Sequence, residues 1–207
     1  MWGCGFEPAC QKTDLRTSPG DFVESAKILR KTLEARRYAL TTYRNEPLWL
    51  IETPGHTSNH LCFGLREENA CLSGDHIMGW STTIVAPPDG NMADYMRSLD
   101  KIEERNFDIL WPTHGSPVRE DVNGFIGAYR QHRLDREAAV IKHLKAGETN
   151  IPKMVETMYA DVDKRLHPAA AMSVLGHMIE LIKTNRVVTP DEMPTVRSHF
   201  ELARTTA

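Results

Sequence analysis

Three short segments share one design: Thr-Pro-Gly-His56 after the apolar run LWLIE, Ser-Gly-Asp75-His76 after ACL, and Pro-Thr-His114-Gly after ILW. Each sets an imidazole or a carboxylate beside glycine, just past a run that reads as a strand. Small residues at such a place let the chain bend and turn the side chain into a shared cleft. Two imidazoles and a carboxylate supply the N and O donors that zinc accepts at about 2.0–2.2 Å, and a carboxylate can bridge two ions through its two oxygens. A single histidine beside a turn is more often a hydrogen-bonded structural residue. Three such segments in order, each at a strand end, point to a metal centre.

The elements that must hold them follow from periodicity. LWLIE, HLCFGL and ACLS are short β-like runs, with REEN as a turn between the last two. NMADYMRSLDKIEER places Met92, Met96, Leu99 and Ile102 at helical spacing behind Asn91, a good N-cap, and FDILWPTHG reads as a further buried strand broken by Pro112. Strand, strand, helix, strand gives an α/β (α+β) fold class. Upstream, DFVESAKILRKTLEARRYAL predicts a surface helix with Phe22, Ala26, Leu29 and Leu33 on one face. Downstream, a long helix starts near Arg119 and stops at Gly147. Pro152 and Pro168 then open two more helices, and VVTPDEMPTVRSHFEL forms a hairpin, the outline of a winged helix. The expected division is an atypical N-terminal segment with one helix (1–46), an α/β part (47–130) and a helical winged-helix-like domain (131–207).

Composition narrows the partners. The chain has 207 residues, 41% of them hydrophobic, and a net charge of −3, so bulk attraction to nucleic acid or anionic membrane is not expected. From residue 126 onward, 12 Lys and Arg stand against 10 Asp and Glu, an excess of only two, which speaks against double-stranded DNA as a partner. No basic and apolar leader and no run of about 18 apolar residues occurs, so export and membrane insertion are not expected. Cys4, Cys10, Cys62 and Cys71 lack paired C-x-x-C spacing and read as reduced thiols of a cytoplasmic protein.

TPGHT, SGDH and PTHG resemble the third, fourth and fifth metal motifs of the metallo-β-lactamase-fold hydrolases. The run SGDHIMGWSTTIVAPPDGNMADYMRSLDKI, with the later HRLDRE, is similar to the β-lactamase-like protein branch. That branch includes a single-stranded RNA endonuclease and carries a winged-helix-like C-terminal domain. The resemblance covers roughly residues 47–190. It implies an αββα sandwich of which this chain holds mainly the second half, with His56 on a first zinc ion, His114 on a second and Asp75 bridging both. It further implies hydrolysis of a phosphodiester, ester or thioester by zinc-activated water, on a small-molecule or single-stranded RNA substrate.

The family's earlier H-x-H-x-D-H motif is absent, and no histidine precedes His56. The resemblance therefore leaves each ion about two protein ligands, where a catalytic zinc has three plus an open position. Incomplete metal occupancy and impaired hydrolysis are expected; the alternative is a non-catalytic truncated remnant or an interaction module. An upstream start, a disrupted reading frame and a genuine replacement of the first half all stay open. A sheet face left without its partner invites homo-oligomerisation.

Other residues read as support. His60 and His76 suit loop packing more than ligation, and Cys4 and Cys10 match no common zinc module. Trp80 with Ser81, Thr82 and Thr83 either lines a substrate cleft or forms a solvated loop with one packed indole. His132, Arg133 and Arg136 form a basic turn that either meets an anionic group or faces solvent beside Asp135 and Glu137.

Overall fold

Short apolar runs separated by turn residues close the first half of the fold into a four-stranded sheet. A computed structural model describes residues 48–204, all within one compact unit, Pro47–Ala207. The helix expected over 21–40, and the segment 1–46 that holds it, lie outside the described residues. The strands are β1 (Leu48–Glu52), β2 (Leu61–Leu65), β3 (Ala70–Gly74) and β4 (Ile109–Pro112), in the order β1-β2-β3-β4. β1–β2 and β2–β3 pair antiparallel, the second through a turn at Asn69 with φ 44°. β3 and β4 pair parallel, which requires a crossover; helix α1 (Met92–Glu103) lies within it. Asn91 caps α1, its side chain accepting from the Asp94 amide at 3.0 Å.

Alternation along the strands sorts their side chains. Ile51, Cys62, Cys71 and Leu110 are buried in one core with Tyr95, Leu99 and Ile102 of α1. On the opposite face Leu50, Phe63, Leu72 and Trp111 stand in register across all four strands. Leu50 is 50% and Leu72 40% exposed, so this apolar row meets water.

Helix α2 (Val122–Lys145) serves two cores. Its Val122, Ile126 and Tyr129 join the sheet core, while Val140 and Leu144 join a second one. The expected boundary near 130 falls inside it. The helix starts at Val122 rather than near Arg119 because Asp121, at φ 45°, accepts from the Gly124 amide as its cap. Helices α3 (Ile151–Met158) and α4 (His167–Lys183) each carry proline in the first turn. They pack Met154, Met178, Leu181 and neighbours around Phe200. Strands β5 (Val187–Val188) and β6 (Glu201–Leu202) pair antiparallel as a short hairpin. Three helices and a hairpin complete the winged-helix outline.

Candidate metal centre

His56 follows a turn that sits directly on α1. Gly55 has φ +138°, and a Cβ there would lie 2.3 Å from the Tyr95 Cα, so only glycine permits this approach. The Asn91 amide donates to the Gly55 carbonyl at 2.8 Å, tying the turn to the helix cap. His56 Nδ1 lies 2.7 Å from the Ile84 carbonyl. A carbonyl only accepts, so Nδ1 carries a proton, and in the neutral ring this leaves the lone pair on Nε2, the tautomer a metal-binding imidazole needs.

Asp75 starts the loop after β3, and that loop is clamped from two helices. Thr83 Oγ1 meets the Asp75 carbonyl at 2.7 Å and the His76 carbonyl at 3.1 Å. Tyr95 of α1 donates to the His76 carbonyl at 2.8 Å. The Tyr129 hydroxyl of α2 accepts from the Met78 amide at 3.0 Å and lies within hydrogen-bonding distance of the Met78 and Ser81 carbonyls. The His114 loop is drawn against this one by glycine on both sides. Gly79 donates to the His114 carbonyl at 2.7 Å, and a Cβ on Gly115 would lie 2.7 Å from the Gly79 backbone.

The outcome is a facing pair of donors. His114 Nε2 and Asp75 Oδ1 are 3.5 Å apart, and Asp75 Oδ1 is buried without a hydrogen bond. Two ligands of one tetrahedral zinc, each about 2.0–2.2 Å from it, lie about 3.3–3.6 Å from one another. The separation and the unpartnered oxygen thus fit two corners of a cation site. A third is not supplied by the fold: among the described residues, no group of three or more His, Cys, Asp or Glu side chains could hold a metal ion. The donor types fit zinc, and their number falls short of a catalytic site.

The neighbouring histidines are packed. The His60 ring lies between those of His56 and His76, with centroids 6.2 and 5.5 Å away, and its Nδ1 bonds Thr53 Oγ1 at 2.8 Å. His76 is fully buried, 4.5 Å from the Tyr95 ring. Its pKa is lowered to about 3, by burial first and then by the charges of His60 and His56.

Two sequence readings need correction. The basic turn on α2 neither faces solvent nor presents itself to an anion. Arg133 is 3% exposed, donates to the Thr83 carbonyl and lies 5.1 Å over the Tyr95 ring. Arg136 lies 4.5 Å over the Tyr159 ring and donates to the Met158 carbonyl. His132 is half-buried, its pKa lowered to about 4 by burial and the two guanidinium groups. Asp135 instead accepts from Gln131, and Glu137 pairs with Arg186. Long cationic side chains serve here as internal struts, because aromatic faces and loop carbonyls lie within their reach. Trp80 is 74% exposed, so its indole is not packed. Thr53, Tyr95 and Tyr129, which support the site, have no motif in the sequence that would have singled them out.

The β-lactamase associated winged helix domain family matches residues 151–193. A β-lactamase-like protein 2 homolog of Caenorhabditis elegans is 39% identical over 156 residues, covering 74% of this chain and 48% of the relative. An atrochrysone carboxyl ACP thioesterase of Aspergillus chevalieri is 30% identical over 158 residues, covering 72% of this chain and 50% of the relative. The chain thus spans about half the length of the curated relatives it matches. A metallo-β-lactamase family protein of Thermus thermophilus has the same fold over 76% of this chain and 50% of its own, with a TM-score of 0.63 at 20% identity. The family match over the helical module, the sequence likeness to a β-lactamase-like protein homolog and the shared fold agree: the chain belongs to the metallo-β-lactamase superfamily and carries a winged-helix C-terminal domain.

Proposed function

We propose that this chain is a metallo-β-lactamase-fold hydrolase of impaired competence, acting on an ester, thioester or phosphodiester, with His56, Asp75 and His114 as its share of a zinc centre. The observation that carries this reading is the unpartnered Asp75 Oδ1 facing His114 Nε2 at 3.5 Å. His56, Asp75 and His114 would hold zinc only together with further ligands, and zinc so held would supply a Lewis acid able to lower the pKa of a water toward about 7. His56 offers Nε2 from a tautomer fixed by the Ile84 carbonyl, and Asp75 offers a carboxylate on a loop held by Thr83. With two corners facing each other among the described residues, turnover is slow or waits on ligands from a further polypeptide.

The same shortage favours a second reading, a non-catalytic interaction module. The partly exposed row Leu50, Phe63, Leu72 and Trp111 supports association through the sheet, including with a second copy. Free, buried Cys62 and Cys71 support a reducing, cytoplasmic setting. Metal content after dialysis separates the readings. The hydrolase reading expects zinc retained and hydrolysis of a p-nitrophenyl ester, an acyl thioester or single-stranded RNA that is lost with chelator. Less than one ion per chain and no turnover on any of the three establishes the module instead.

A further inference from the structure

Arg133 is the most deeply buried cation among the described residues, at 3% exposure. It belongs to α2, whose later residues build the winged-helix core, yet it points its hydrogen bond elsewhere. One guanidinium nitrogen donates to the Thr83 carbonyl, and Thr83 Oγ1 in turn meets the carbonyls of Asp75 and His76. The guanidinium lies over Tyr95, whose hydroxyl donates to the same His76 carbonyl. No carboxylate pairs with Arg133 among the described residues, and its Nε is buried without a partner. Burying a guanidinium without a counter-ion is costly, because its hydration is lost and no opposite charge replaces it. A surface helix could have placed this residue in water, so the burial calls for a gain elsewhere. What the charge secures is the loop 75–83. About one helical turn earlier on the same side of α2, Tyr129 fastens that loop at Met78 and Ser81.

We propose that Arg133 is a positioning residue for Asp75, acting through Thr83, and that α2 thereby makes the winged-helix module part of the support of the metal centre. This deepens the reading of Asp75 as a metal ligand and rests on it for the functional consequence. Loss of the guanidinium frees the Thr83 carbonyl, the loop slackens, and the Asp75 carboxylate no longer holds its place opposite His114. A lysine at the same position can still reach the carbonyl and restores part of the clamp.

The test compares full-length Arg133→Met, Arg133→Lys and Thr83→Val, the last severing the link from the loop side without touching α2. Hydrogen exchange of the amides 75–83 is measured against amides of the helical core, alongside the visible spectrum of added cobalt. Arg133→Met and Thr83→Val are expected to raise loop exchange at least tenfold with the helical core unchanged, and to lose the cobalt bands. Arg133→Lys is expected to recover part of both. Loop exchange unchanged in Thr83→Val overturns the proposal, as does exchange raised equally everywhere in Arg133→Met with no rescue by lysine. If the unaltered chain gives no cobalt bands, the ligand reading has failed by itself, and loop exchange still decides the positioning role.

Discussion

Substituting Gly55 by alanine should destabilise the described fold strongly. The added Cβ would lie 2.3 Å from the Tyr95 Cα and 2.4 Å from its nitrogen. Both are backbone atoms in the first turn of α1, so no side-chain rotation relieves the contact. Holding a non-glycine residue near φ +138° costs about 1–3 kcal/mol, and forcing helix and turn apart costs about 1–3 kcal/mol more. The expected loss is about 4 kcal/mol. Gly147→Ala is the control, because its φ is +81° but no atom lies within 4 Å of the added Cβ. Strain alone should cost it about 1–2 kcal/mol. Urea unfolding with linear extrapolation gives both numbers on one scale. If the two variants agree within about 1 kcal/mol, close seating of the His56 turn on α1 is wrong, and with it the reason the imidazole stands where it does.

Asp75→Ala should abolish zinc retention through dialysis, read by elemental analysis, while changing stability by less than about 1 kcal/mol, because it removes a carboxylate oxygen that accepts no hydrogen bond; full retention refutes the ligand assignment. His177 is 2% exposed and its pKa is lowered to about 3, by burial first. The unfolded chain therefore takes up a proton below pH 6.5 that the folded chain refuses until about pH 3, and stability falls across that window. His177→Leu should flatten the fall by up to about 1.4 kcal/mol per pH unit, measured from urea midpoints between about pH 7 and 4; identical slopes refute it. Phe200→Ala should cost about 3–5 kcal/mol, since the ring is fully buried in the winged-helix core; a thermal midpoint within about two degrees of the unaltered chain contradicts that packing.

Much of the fold was legible along the chain because it is written in local chemistry. Asn91, Pro152 and Pro168 mark helix starts by what their own backbones and side chains can do, and they open α1, α3 and α4 as read. LWLIE, LCFGL and ACLSG declare strands by apolar content and by the turns between them. The residues His56, Asp75 and His114 stood out for the same reason, each a metal-binding type beside glycine at a strand end. Local chemistry also misled. His132, Arg133 and Arg136 read as a basic turn on a surface helix, since a sequence records the charge of a side chain but not the direction it takes from the helix.

What the sequence determined by itself was therefore the inventory: which segments are helix or strand, which side chains can bind a metal, and that the H-x-H-x-D-H ligands are not among them. Only the tertiary structure decided distance and support. It set Asp75 Oδ1 opposite His114 Nε2 at 3.5 Å, left no third ligand beside them among the described residues, and turned Arg133 inward onto Thr83. Those outcomes depend on contacts between residues tens of positions apart. Close packing fixes such contacts through the shape of the whole core, which no short stretch of sequence carries.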